Sequence, residues 1–596
     1  MIQPNVLIGL LILVTFLIAA AIMFTRKLPA LIVLPGMGLL IVAGTALIIS
    51  LFRYLGAQSE SGALSGLASL LSNVLNLEQV PPPISVRDIT EGVISKGAIR
   101  LHEPIIIAFF GGILSFIMQK SGVAENLVKN AAELIGDNPF MVAVFSLGLI
   151  AVLFTSIGGL GAIIMVAMVV LPMMATVGVQ PPVAGGILLF GISLGGILNP
   201  GNWVVYTSVL GLQKDSVQSF AILVFLLTAL AGVYFITIEL WRGGTLKSFA
   251  ATGGILLSLT VVAVMIVGAL VLTTRSAEKA RSEERLAAEK QALVEKAGGA
   301  VAAVTGASAT EEPKVTIGMQ IKRGFQVVFA LFFAYIIVTH LLDIRKRIRR
   351  WRHQIVKIEW YTYLIPLVPL VLILVYDMPI LAAFLTGFLY AVFVTVRPGF
   401  ISLSIQSMIQ GASSVLPASL LMIGIGIVLN SVLGPSNYSA NNDGAKWPVL
   451  AAIEPLFNAI IPDSIFGYVI LFGLAAPLAL YRGPLNVWGL GYGVTALLLA
   501  SMQLPPEAIM AMLLVVGQVQ GICDPTNTHN VWLANELRVD VQTLMWRTIP
   551  YVWAMVFVGL SVAGIIYAPK WEELATKRAA AAAVETKIDL KVEAAK

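Results

Sequence analysis

Apolar stretches of about 20 residues, each long enough to cross a bilayer, recur along most of this 596-residue chain. Inside hydrocarbon every backbone N–H and C=O must find its partner within the protein, so stretches of this kind fold as helices or not at all. Composition agrees: 58% of residues are hydrophobic and 12% charged, where soluble domains carry roughly a quarter charged residues. The expected fold class is therefore an all-α polytopic membrane protein with about sixteen membrane helices. They run from 6–24 to 549–568 and include spans at 183–210, 360–376, 485–502 and 507–536. The first run, Val6 to Phe24, is too long and too closely followed by a second to read as a cleaved leader. Stretches 121–138 and 449–463 read as amphipathic segments lying at the membrane surface.

Charge sets the expected orientation. In "DIRKRIRRWRHQIVK", Asp343 to Lys357, seven of fifteen residues are Lys or Arg. Between two apolar spans such a block marks a cytoplasmic loop rather than a nucleic-acid site. Alternating sides from there puts Arg26-Lys27, Arg242, Lys247 and Arg397 inside as well, and both termini outside. The multi-pass chain is expected in the cell inner membrane. The charged insert 275–323 falls outside, read as a solvated helix followed by a flexible linker, and the tail 569–596 has the same polar character. One cysteine, Cys523, excludes disulfides within the chain, and four histidines are too scattered for a metal cluster. No phosphate-binding glycine loop is present, and no cofactor is expected.

The chain also repeats itself. "VQPPVAGGILLFGISLGGILNPGNWVVYTSVLGLQKD" can be laid over "QLPPEAIMAMLLVVGQVQGICDPTNTHNVWLANELRVD" with one inserted residue. Pro181-Pro182 meets Pro505-Pro506, Gly196-Ile197 meets Gly521-Ile522, and Pro200 meets Pro525. Asn202 meets Asn527, and Asp215 meets Asp540. Upstream, "TSIGGLG" from Thr155 falls opposite "LYRGPLN" from Leu480. This divides the chain into a first repeat, 1–240, a central part of two helices, 241–358, a second repeat, 359–568, and the tail. Seven spans per repeat, separated by two, make the second repeat enter from the opposite face, the inverted arrangement common in secondary transporters.

Pro200 and Pro525 interrupt membrane helices and strip carbonyls of their helical partners. Each break also leaves a half-helix N-terminus that attracts anions and a C-terminus that attracts cations. Polar side chains crowd both. The expected substrate-binding set is Asn199, Gly201, Asn202, Arg482, Asn486, Thr526, Asn527, Thr528 and Asn530, with the Arg482 fork suited to a carboxylate. Asp524 and His529, with Asn199 and Asn527, are the expected ion-coupling groups, since an acid at membrane depth is costly and usually functional. A Na+ site is expected near Gly159, Asn199 and Asp524.

These breaks resemble the ion transporter superfamily of secondary carriers. "THNVWLANELRVDVQTLMWRTIPY" (Thr528–Tyr551) is similar to the gluconate-permease branch, and "DPTNTHN" (Asp524–Asn530) is more distantly similar to the Asp-Thr-Thr-Asn break of Na+/H+ antiporters of that superfamily. The resemblance implies a scaffold that forms a homodimer in the lipid and a mobile transport domain holding Asn199–Asn202 and Asp524–Asn530, flanked by Ser156–Gly161 and Arg482–Asn486. The insert 275–323 and the two central helices depart from the compact members of that group. The function expected is symport of a small organic anion, a carboxylate or sugar acid, with H+ or Na+. A Na+/H+ antiporter using Asp524 alone is the alternative. A membrane enzyme has no nucleophile–base pair or metal cluster to rest on, so no catalytic residue is assigned.

Overall fold

The computed structural model describes residues 3–25, 27–60, 80–246, 249–297, 317–352, 358–396, 399–442, 444–458, 460–487 and 491–593. The described residues are helical without strands, and eleven of the helices are long and apolar enough to cross a membrane. Three shorter apolar helices, Pro139–Phe154, Leu160–Thr176 and Ile380–Val394, join them. The fold is that of an all-α, multi-pass membrane protein.

Two long helices organise the packing. Phe400–Leu433 lies against His102–Lys120, Ala30–Glu60 and the short Lys96–Ile99 turn. Small residues allow this approach: a Cβ on Gly112 would meet the Gly411 carbonyl oxygen, and one on Gly426 the Gly97 carbonyl oxygen, at 2.4 and 2.1 Å. With lipid as solvent, helices gain from such backbone proximity through dispersion contacts rather than hydrophobic burial. Arg100 reaches across the same contact to donate to Asn430 Oδ1 at 2.6 Å, and Asn430 Nδ2 donates to the Gly92 carbonyl.

The second organiser is Val541–Glu593, antiparallel to Lys214–Arg242. Arg547 meets Glu239 at one end, and the Tyr567 ring lies 5.8 Å from that of Phe220 at the other. The twenty residues between Glu239 and Phe220 rise roughly 30 Å, a full hydrocarbon thickness. The Pro181–Leu198 helix starts at the Glu239 end, where Gln180 Nε2 donates to the Gly243 carbonyl. The Pro506–Gln518 helix starts at the Phe220 end, where Lys570 lies 3.9 Å from Glu507. The two Pro-Pro helices thus run into the membrane from opposite ends of one helix.

The interruptions expected at Pro200 and Pro525 are present: 183–210 is two helices, Pro181–Leu198 and Pro200–Leu210, and 507–536 passes into a π-helical turn, Val519–Cys523, before Thr528–Glu536 resumes. Other expectations change. Within 360–376 and 485–502 the α-helical pieces are Val368–Tyr376 and Tyr492–Ala500. At nine residues each they rise roughly 14 Å, half the hydrocarbon core. The basic segment is no loop up to Arg352, because Ile317–Arg352 carries its helix through it; 353–357 lies outside the described residues.

The insert begins as a helix with most of its first residues exposed, but one face of it, at Glu278 and Ser282, is docked. Phe249–Ala297 passes through residue 275 without stopping. Glu278 is only 2% exposed, because Ser216 Oγ and Arg281 Nη1 both donate to it at 2.8 Å, and Ser282 is buried beside it. A carboxylate so supplied with donors can leave water at small cost. Residues 298–316, where the linker was expected, lie outside the described residues. The tail is likewise not polar and free at its start. Lys570 and Trp571 are buried, Lys570 pairing with Glu573 at 3.4 Å.

Candidate functional site

The two proline breaks meet. Ser193 Oγ, on the half-helix before the first, donates to Gln518 Oε1, on the half-helix before the second, at 2.5 Å. Around this contact lies a cavity of about 220 Å³ whose polar lining comes from Ser193, Asn202, Tyr206, Gln518, Gln520 and His529. Apolar residues such as Ile192, Val205 and Leu513 complete it, and among the described residues no Asp, Glu, Lys or Arg lines it. Its volume lies below the roughly 300–1,000 Å³ of drug-sized sites and suits a small solute.

Each break supplies its own replacement for the helical bonds that proline removes. In the first, Asn202 Nδ2 donates to the Gly196 carbonyl at 2.7 Å and Trp203 Nε1 to the Ile197 carbonyl at 2.8 Å. In the second, Asn527 Nδ2 donates to the Gln520 carbonyl at 2.6 Å and Asn530 Nδ2 to the Ile522 carbonyl at 3.1 Å. His529 Nε2 lies 3.2 Å from the Gly521 carbonyl oxygen. A carbonyl only accepts, so this contact assigns the hydrogen to Nε2 and leaves Nδ1 as the nitrogen open to a second proton. The carbonyls freed by the breaks are therefore met by side chains one turn beyond, rather than waiting for a ligand. Asn199 and Asn527 stand at the N-termini of the following half-helices, and Asn199 Oδ1 accepts from Gly201 N at 2.9 Å. Asn530 is buried, and its Oδ1 has no hydrogen-bond partner among the described residues.

Asp524 is fully buried, and its carboxylate collects five hydrogens. Oδ1 accepts from Tyr481 N at 3.0 Å and from Thr526 N and Oγ1 at 2.9 and 2.7 Å. Oδ2 accepts from Arg482 N at 3.4 Å and Asn486 Nδ2 at 3.1 Å. Tyr481 and Arg482 both have left-handed backbone, φ 55° and 57°, which costs a residue with a Cβ about 1–3 kcal/mol. The turn presents consecutive N–H groups inward, as anion-binding backbone nests do, and here the anion is the protein's own Asp524. Gln520 Oε1 adds a further tie by accepting from Val487 N at 2.8 Å. The two breaks of the second repeat are thus sewn together.

In the first repeat, Thr155 and Ser156 instead donate to the Pro366 carbonyl, and Ser115 Oγ donates to the Gly158 carbonyl. Asn199, matched to Asp524 in the repeat, has no equivalent turn as partner; it caps its own half-helix.

The candidate residues separate accordingly. Asn202 and His529 line the cavity. Asn486, Thr526 and Asp524 belong to the buried carboxylate cluster, which holds the turn. Arg482 touches that cluster through its backbone only, and its side chain is exposed away from the cavity lining. Thr528 and Gly159 are exposed as well. Gly159, Asn199 and Asp524 each keep separate partners, and no group of three or more His, Cys, Asp or Glu side chains that could hold a metal occurs among the described residues. Ser193, Gln518 and Gln520 were not singled out from the sequence. The signal available was their polarity within otherwise apolar helix.

No family model matches the chain, and no curated protein matches it. Among solved structures it is similar to the crystal structure of the YdaH transporter of Alcanivorax borkumensis, at 17% identity over 84% of this chain and 88% of that one. The TM-score of 0.34 makes this a loose likeness, which identifies neither the fold family nor an activity of this chain.

Proposed function

We propose that the chain is a secondary active transporter that carries a small organic anion, a carboxylate or sugar acid, in symport with H+, by alternating access at the paired breaks. The carrying observation is the polar cavity between the two broken helices, with His529 as its ionisable nitrogen base. The opposite entry of the two Pro-Pro helices supports the inverted repeat on which such access depends. An anion entering a cavity lined by amides and hydroxyls, without Arg or Lys, needs a compensating charge. Protonation of His529 at Nδ1 supplies it. Each of the two then binds better when the other is present, and this reciprocity is the thermodynamic content of symport. Ser193, Gln518 and Asn202 offer hydrogen bonds that fix the solute. Asp524, with Asn486 and Thr526, positions the turn that closes one wall.

The Na+/H+ antiporter reading requires Asp524 to alternate between a cation and a proton. Its five donors weigh against this, since a carboxylate so filled has little left to offer a cation. Proteoliposomes of the full chain with an internal pH dye decide between the two. A panel of carboxylates and sugar acids should produce internal acidification with one chemical class, and His529→Gln should lower that signal at least tenfold while the protein still reconstitutes. A pH response to Na+ alone would restore the antiporter. Solute uptake that needs Na+ and moves no proton would leave symport standing and remove His529 as its coupling group.

A further inference from the structure

A second cavity, of about 860 Å³, lies between the helices Lys214–Arg242 and Val541–Glu593, apart from the paired breaks. Its lining on the first helix, Leu227, Ala231, Tyr234, Ile238 and Arg242 among others, recurs at helical spacing along one face. Fifteen residues rise roughly 22 Å. The facing stripe, from Trp546 to Val558, rises roughly 18 Å. The groove is therefore about as deep as one leaflet's hydrocarbon, roughly 15 Å, plus part of the head-group layer.

Its two ends differ. Toward Leu227 and Val558 the walls are apolar. At the other end Glu239, 3% exposed, accepts from Arg547 Nη1 at 2.8 Å, from Arg242 Nη1 at 3.0 Å and from the Tyr551 hydroxyl at 3.1 Å. Two guanidinium groups thus face one carboxylate, and among the described residues these three are the only charged groups of this lining. One positive charge is left over, on side chains 64% and 36% exposed. Each guanidinium carries five N–H donors in a fork that fits phosphate oxygens, and Glu239 uses one nitrogen of each. Trp546 at the charged end is 67% exposed and adjacent Trp241 51% exposed, the position in which indoles mark a membrane–water boundary.

From the depth of the groove, its apolar walls and its unbalanced charge, we infer that it is a binding site for one anionic phospholipid of the adjoining leaflet. The head-group phosphate lies between Arg242 and Arg547, and an acyl chain lies along Leu227, Ala231, Ala554 and Val558. A singly charged phosphate brings the cluster to neutrality. A zwitterionic lipid carries its own cation and gains less. Because the site ties Lys214–Arg242 to Val541–Glu593 at the end where the Pro181–Leu198 helix begins, the lipid stiffens that corner of the fold.

The test uses the full-length chain in detergent, titrated with phosphatidylglycerol, phosphatidylethanolamine or inorganic phosphate and read by native mass spectrometry, with the thermal midpoint as the fold control. Phosphatidylglycerol should be retained roughly tenfold more tightly than phosphatidylethanolamine, and inorganic phosphate should not displace it. Arg242→Gln should erase most of that preference, a change on the order of fivefold for one arginine. Ala554→Phe, which fills the apolar wall and leaves every charge in place, should weaken retention of both lipids. Equal retention of the two lipids, or a preference untouched by both variants, would overturn the site. Full displacement by inorganic phosphate would overturn the lipid as its occupant. A change of oligomeric mass in Ala554→Phe without loss of lipid would show that a second copy covers the groove instead.

Discussion

Tyr481 and Arg482 sit in left-handed backbone because a buried carboxylate accepts from both of their amides. Removing one member of such a buried set leaves the rest unpaired in a medium that cannot solvate them. Asp524→Asn replaces an acceptor by a donor facing donors, and should lower stability by about 2–4 kcal/mol. That appears as a lower thermal midpoint in detergent, before any transport assay. Arg482→Gly should act in the opposite direction, relieving about 1 kcal/mol of strain at φ 57°, and should leave solute affinity unchanged. A lower midpoint for Arg482→Gly, or weaker solute binding, would return the guanidinium to the site. The sequence marks "YRGPLN" as a break, and the break is there. It does not show that the turn directs the Arg482 side chain outward, since that depends on partners forty residues further along. For the same reason Asp524 reads from sequence as an ion ligand, while its surroundings make it an internal hub for donors.

Among the elements, the proline-marked breaks were legible in detail, because proline acts through its own ring and missing hydrogen. The short α-helices Val368–Tyr376 and Tyr492–Ala500 were not. Apolar composition looks the same whether a stretch forms one long α-helix or a short one joined to other turns. Nor did composition reveal that residues 275–283 dock: "AEKARSEERL" is as polar as any solvated helix, and only Ser216 and Arg281, meeting Glu278 in space, account for its burial. Close packing against the first break makes a sharper prediction. A Cβ on Gly195 would come within 2.4 Å of Phe154 Cβ and 2.6 Å of the Ala151 carbonyl oxygen. Gly195→Ala should therefore push Pro181–Leu198 away from Pro139–Phe154 and lower the thermal midpoint, at a cost of about 1–3 kcal/mol. A variant with an unchanged midpoint would show that these two helices adjust independently.

For the molecule as a whole, the outer ends of the helices Pro506–Gln518 and Val541–Glu593 converge on charges that a reading by hydropathy discards. Lys570 lies between Glu507 and Glu573, Trp571 is buried, and Arg578 donates to Gln503. Truncation after Ala568 removes Lys570, which faces Glu507, and should lower the thermal midpoint by several degrees. A midpoint equal to that of the full chain would make the tail dispensable. The first residues of the polar insert, at Glu278 and Ser282, and of the polar tail, at Lys570 and Trp571, are thus packed onto helices that the sequence shows as ending at the membrane. The carboxylate cluster has a mechanical consequence. Residues 481–487 and 520–527 are fastened by four bonds from backbone and side chain, whereas the two breaks facing the cavity touch through the Ser193 hydroxyl on Gln518. Under load a structure yields at its weakest joint. The second repeat's breaks would then travel together like the two arms of a welded bracket, and the sliding seam would open along Ser193 and Gln518.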